Sequence, residues 1–146
     1  MLKGIDPVLS PELLMHLSAM GHGEWVALVD ANFTAEMLRH GKPLVRLPGL
    51  SLARVTQAVL SVFPLAEDVA QPAAYMQVSD SAPGHRTAAQ QEVVRLLEEQ
   101  GLPDTKIEAV ERYAFYEKIK SASLLVQTGE GTAFGNAMLC KGVILC

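Results

Sequence analysis

The chain is poor in features that announce a chemistry. Its 146 residues include two cysteines, Cys140 and Cys146. Both lie near the C-terminus in strand-like surroundings, which reads as buried free thiols in a reducing compartment rather than a disulfide framework. There is no basic run, and 12 Lys and Arg against 16 Asp and Glu leave a net charge of −4, so a nucleic-acid partner has no electrostatic footprint. Apolar runs are short and broken by Gly, Pro or charge, so no membrane span is expected. The opening MLKGIDPVLS lacks the apolar core of a secretion signal. Together these point to a cytoplasmic protein. The G-x-S-x-G elbow, the Walker loop and a G-x-G-x-x-G turn after a strand are all missing. The histidines, His16, His22, His40 and His85, form no H-x-H or H-x-x-x-H pair, so local spacing offers no metal site.

What is present is a core and an alternating pattern. The chain is 49% hydrophobic and 19% charged, as expected of one domain spanning residues 1–146. Ser10-Pro11-Glu12 opens a helix whose stripe is Leu13, Leu14, Leu17 and Met20, with Gly21 as its stop. A strand over 25–30 follows, then a loop with one helical turn around Ala35–Leu38. The pattern continues with a strand at Leu44–Leu47, a helix capped by Ser51 that ends before Pro64, and a strand at Ala73–Val78. Thr87–Gln100 reads as a charged amphipathic helix, Lys106–Val110 as a strand, Arg112–Ala122 as a helix and Ser123–Gln127 as a strand. The end, Ala137–Cys140 then Gly142–Leu145, is strand-like. Such alternation predicts an α/β domain with a largely parallel sheet and helices on both faces.

A small polar set remains for function. In Met20–Phe33, MGHGEWVALVDANF, His22 stands between two glycines that leave the ring approachable, and Asp30 ends the strand. An imidazole exchanges protons near neutral pH, and a carboxylate accepts hydrogen bonds from hydroxyls. The ordinary alternatives are a loop histidine and a turn former. Arg112 opens a helix beside Tyr113 and Tyr116, its ordinary reading being a surface ion pair. Phe134-Gly135-Asn136 precedes the last strands, where Gly admits close backbone approach and the amide both donates and accepts. Aromatic faces beside Asp, Asn and Arg are the materials of a carbohydrate pocket.

Four ordered segments, LKGIDPVLSPELLMHLSAMGHGE, VDANF, RYAFYEKIKSA and QTGEGTAFGNAMLCKGV, resemble the fucose mutarotase / ribose pyranase family, and its fucose branch in particular, over almost the whole chain. The resemblance implies an α/β subunit assembled into a ring-shaped homo-oligomer, often a decamer. It also implies interconversion of sugar anomers or ring forms without cofactor or metal, with L-fucose as the expected monosaccharide. It places His22 as the catalytic histidine and Asp30 as a sugar-binding aspartate. Arg112 falls on a sugar-contacting position that is histidine in ribose-type members, and Tyr116 lies in the same block. Phe134, Gly135 and Asn136 match a segment that is usually Tyr-Gly-Asn. Phe134 lacks the usual phenol, and Thr34 stands where proline is common.

One geometric expectation follows from the residues themselves. A strand over 24–29 spans about 20 Å at ~3.3 Å per residue, so His22 and Asp30 fall at its opposite ends. A pocket holding both needs a folded-back loop or a second subunit. The competing expectations are ribose-type pyranose/furanose interconversion and a non-catalytic sugar-binding module on the same fold.

Overall fold

The computed structural model describes every residue from Met1 to Cys146. In chain order the elements are α1 (Pro11–Ala19), β1 (Trp25–Val29), α2 (Ala35–Leu38), β2 (Leu44–Leu47), α3 (Leu52–Leu60), β3 (Ala73–Met76), α4 (Ala88–Glu99), a 3₁₀ turn (Asp104–Lys106), β4 (Ile107–Val110), α5 (Arg112–Ile119), β5 (Ala122–Thr128) and β6 (Ala137–Cys140). Local chemistry sets the helix starts. The hydroxyls of Ser10 and Ser51 accept from Leu13 N and Arg54 N, both at 3.2 Å. Thr87 and Gln90 form a reciprocal capping box on α4, satisfying two end groups at once. Glu111 caps α5 through Tyr113 N and Ala114 N.

The six strands run in the order β2-β5-β1-β6-β3-β4. Pairings β1–β5, β2–β5 and β3–β4 are parallel, while β6 is antiparallel to both β1 and β3. The reversal of β6 refines the expectation of a largely parallel sheet. β5 and β6 flank β1, and only residues 129–136 connect them. A parallel return would need a dozen or more residues, so the short link stays at one end of the sheet and the strand comes back reversed.

Residues of β1 alternate between two cores, as a strand covered on both faces must. Val26 and Leu28 join a 25-residue cluster with α1, α3 and α4. Ala27 and Val29 join a 13-residue cluster with Phe115 and Ile119 of α5. The smaller cluster is the one that reaches the sheet rim, where Phe33, Met76, Tyr116 and Phe134 edge it.

Three further expectations are corrected. The tail beyond Lys141 is not a strand: Leu65–Lys141 is an isolated bridge, and Val143, Ile144 and Leu145 are exposed. Apolar composition supplies a strand signal, but a strand also needs a neighbour to pair with. α5 ends at Ile119 and Ala122 already belongs to β5. Cys140 is buried as expected, whereas Cys146 is exposed on that tail. No helix is long and apolar enough to cross a membrane.

Candidate active site

The carboxyl end of β1 delivers Asp30 to the sheet rim, where its side chain is almost fully buried. The 129–136 link arches over this end, with Ala31 N donating to Glu130 O at 2.9 Å. That arch brings Asn136 onto Asp30 from 106 residues away. Asp30 N donates to Asn136 Oδ1 at 2.8 Å, and Asn136 Nδ2 donates back to Asp30 Oδ2 at 2.9 Å. Asn32 N donates to Asp30 Oδ1 at 2.9 Å. Each carboxylate oxygen therefore has one fixed donor and spare acceptor capacity. Burial is the largest influence on this carboxyl and pushes it above the usual carboxylate range, opposed by the hydrogen bonds from Asn136 and Asn32.

Gly135 is required by the closeness of this arch. A Cβ there would stand 2.8 Å from Glu130 Cγ, 2.9 Å from Thr132 O and 3.6 Å from Asp30 Cβ. Its neighbour Phe134 has φ +63°, a left-handed conformation uncommon for a bulky residue and found most often at functional sites. The strain is held by Gln90 of α4, which is fully buried. Its Nε2 donates to Phe134 O at 2.8 Å and to Met76 O at 2.6 Å.

The start of α5 forms the facing wall. Arg112 Nε donates to the Tyr116 hydroxyl at 3.0 Å, one helical turn on, as the i,i+4 spacing allows. That contact leaves the outer guanidinium nitrogens free to donate. Tyr116 also meets Phe33 edge-to-face, with centroids 5.7 Å apart. Asp30, Asn32, Phe33, Thr34, Met76, Arg112, Tyr116, Ala133, Phe134 and Asn136 line one open cleft of about 490 Å³. Its size falls in the range of small-molecule sites, and its place is the usual one, outside the carboxyl ends of parallel strands. A larger hollow of about 740 Å³ lies elsewhere, between the end of α3, the 100–103 loop and the C-terminal tail. It holds none of the candidate site residues.

His22 does not enter the cleft. It stands before the opposite end of β1, exposed, with Nε2 2.9 Å from Asp68 Oδ1. Five strand residues separate the two ends, about 16 Å at ~3.3 Å per residue. Of its flanking glycines, Gly23 has a positive φ of 82° and Gly21 does not.

The family model described as the RbsD / FucU transport protein family matches residues 3–144. The chain belongs to this family. Fucose mutarotase of Mus musculus is 41% identical over 146 residues, covering 98% of this chain and 95% of that one. L-fucose mutarotase of Glaesserella parasuis is 38% identical over 143 residues, covering 98% and 96%. The crystal structure of the Streptococcus pneumoniae fucose mutarotase in complex with L-fucose superimposes with a TM-score of 0.89 at 30% identity, covering 99% of this chain and 100% of that one.

Family membership leaves the roles of single residues to geometry. Asp30, Arg112, Tyr116, Phe134 and Asn136 come together at the cleft, Gly135 lies in the arch beside it without lining it, and His22 stands apart from them. Sequence reasoning missed Asn32, Phe33 and Met76 as lining residues, and Gln90 as the brace beneath two of the walls. Gln90 carries a readable signal: it is a polar residue at the N3 position of a Thr-x-x-Gln box, one turn ahead of the buried Val93 and Val94. Asp68 carries none, because nothing near it in the chain marks a site.

Proposed function

We propose that this chain is a mutarotase of the L-fucose type, interconverting α and β anomers by acid–base opening and closing of the sugar ring in the cytoplasm. The observation that carries the reading is the Asp30–Asn136 pair, buried at the rim and faced by Arg112 and Tyr116. It is a hydroxyl-binding constellation on a chain similar throughout to fucose mutarotases. Asp30 and Asn136 would hold sugar hydroxyls, Arg112 would donate to the outer polar edge, and Tyr116, Phe33 and Phe134 would pack against the C–H face.

His22 would supply the proton. As the bond from C1 to the ring oxygen breaks, imidazolium gives its proton to that oxygen, and the anomeric hydroxyl releases its own to water. The resulting aldehyde rotates about C1–C2. Closure runs the same transfers backwards and regenerates imidazolium. One positioned acid–base group is worth about 10²–10⁴-fold.

Because β1 holds His22 and the cleft apart, the reading requires His22 of an adjacent copy to meet Asp30, in a ring-shaped homo-oligomer such as a decamer. Saturation-transfer NMR of L-fucose tests it. The wild-type chain should speed anomer exchange without added cofactor or metal. Sugar binding without faster exchange would instead support a binding module, and preferential action on D-ribose would support the pyranase branch.

A further inference from the structure

We propose that Gln90 is a positioning residue for sugar binding, an inference that rests on the reading of the cleft as the sugar site. From behind the wall its side-chain amide holds the Phe134–Asn136 arch away from ordinary strand pairing, and so sets where the Phe134 ring and the Asn136 amide meet the ligand. Gln90 is fully buried and does not line the cleft. Its partners fix which way the amide faces. Thr87 N donates to Oε1 at 3.0 Å, while Nε2 donates to Met76 O at 2.6 Å and to Phe134 O at 2.8 Å. An amide nitrogen carries two hydrogens, and both are spent on these carbonyls.

The register of the sheet shows what this amide replaces. β3 and β6 pair antiparallel with Tyr75 opposite Ala137, so Met76 falls opposite Asn136. Met76 N donates to Asn136 O at 3.0 Å, and in such a pair the return bond runs from Asn136 N to Met76 O. That bond is not made. Asn136 N donates instead to Phe134 O at 2.8 Å, and Phe134 takes its left-handed φ of +63°. Met76 is buried, and a buried carbonyl without a donor is costly. Gln90 supplies the missing donor at Met76 O and, with its second hydrogen, a further donor to Phe134 O.

The bond given up is the one that would flatten the arch. With Asn136 N on Met76 O, residues 134–136 would run on as strand. With it on Phe134 O, the chain turns at Phe134. The Asn136 side chain then meets Asp30, and the Phe134 ring joins Met76 in lining the cleft. Three lining residues, Met76, Phe134 and Asn136, therefore depend on one amide, carried by a helix that contributes none of the lining. Walls fixed before a ligand arrives lower the cost of binding it, so the signature of Gln90 belongs in sugar affinity. His22, the proton-transfer group of the reading, lies outside this network, and turnover at saturating sugar is spared.

The test uses the full chain and reads steady-state L-fucose anomer exchange, with melting temperature alongside. Gln90→Met keeps the volume and removes the amide. Its KM should rise about 10-fold or more, the scale of one or two hydrogen bonds, with kcat within about twofold, the pattern of lost binding rather than lost chemistry. Gln90→Glu keeps an acceptor for Thr87 N, loses both donors, and should raise KM likewise. Thr87→Ala separates capping from bracing. It removes the acceptor for Gln90 N at the start of α4 and leaves the two carbonyl contacts, so it should lower the melting temperature and keep KM within about twofold. In a crystal structure of Gln90→Met without sugar, Asn136 N should have moved to Met76 O. Unchanged KM in a folded Gln90 variant overturns the inference. So does an arch that keeps its form in Gln90→Met, or a KM in Thr87→Ala that rises as far as in Gln90→Met. If neither Gln90 variant folds, Gln90 is a core element only and the inference falls. A wild-type chain that neither binds nor exchanges L-fucose removes the underlying reading instead, whatever the arch does in the variant.

Discussion

The two ends of β1 are built on different plans. At the carboxyl end Asp30 and Asn136 are buried, hydrogen-bonded to each other twice, and walled by aromatic residues. At the amino end His22 is exposed, sits in a glycine-flanked loop, and has one carboxylate partner that is itself exposed. A binding site benefits from the first plan, because preorganised polar groups lose little freedom when a ligand arrives. A proton carrier that must reach a sugar held elsewhere suits the second. In the proposed reading each end lacks what the other has, and the site needs both.

Substitutions at either end should separate these plans. The largest effect belongs to His22→Ala, expected to lower anomer exchange about 10²–10⁴-fold with sugar affinity and thermal stability near wild type; NMR exchange and a melting curve check both halves. Asn136→Ala should damage stability and binding together. It removes the donor to Asp30 Oδ2, a bond to a carboxylate worth about 1.5–3 kcal/mol, and the acceptor for Asp30 N, a bond between neutral groups worth about 0.5–1.5 kcal/mol. Denaturant unfolding and sugar titration would read this. Gly142→Ala should cost about 1–3 kcal/mol as an overpacking change, because Leu65 O occupies the space its Cβ needs. Unaltered melting would contradict the close approach.

Asp30→Asn sharpens the comparison through pH. Burial raises the Asp30 carboxyl above its ordinary range, so the folded chain keeps that proton to higher pH than the unfolded chain. Folding takes up a proton between those two values, and stability falls as pH rises through that window. Asp30→Asn should flatten this part of the curve of melting temperature against pH while abolishing sugar binding. Phe134→Tyr should be smallest. Restoring a phenol at the cleft wall should change KM by about 10-fold or less, the scale of one hydrogen bond, and leave kcat nearly unchanged.

The features written locally were the legible ones. Ser10, Ser51 and Thr87 mark helix starts because a cap acts within three residues. The apolar run WVALV reads as a buried strand because both of its faces are covered. The separation of His22 from Asp30 was legible for the same reason, since a strand is a ruler. What lay beyond reach depends on contacts between distant segments. The reversal of β6 comes from an eight-residue link whose path requires knowing that β1 lies between β5 and β6. Gly142–Leu145 has strand composition and no strand to join. Gln90 braces Phe134 and Met76 from a helix whose charge pattern reads as solvated surface. Asp68 meets His22 from 46 positions away in the chain. In the cleft, motif order was enough to name Asp30, Arg112, Tyr116 and the Phe134–Asn136 segment, but not Asn32 or Met76, whose roles arise from where neighbouring strands end.

The central claim, that the two ends of β1 meet in a site shared between copies, is tested most directly by mixing two inactive variants. His22→Ala keeps a sound cleft and Asp30→Asn keeps a sound proton carrier. If each site takes His22 from one copy and Asp30 from its neighbour, an equal, randomly assembled mixture holds both native groups at about one site in four, as a repeating heterologous interface dictates. Anomer exchange should then return to about a quarter of the wild-type rate. A mixture as inactive as its components, alongside a wild-type monomer that retains full activity, would contradict the account.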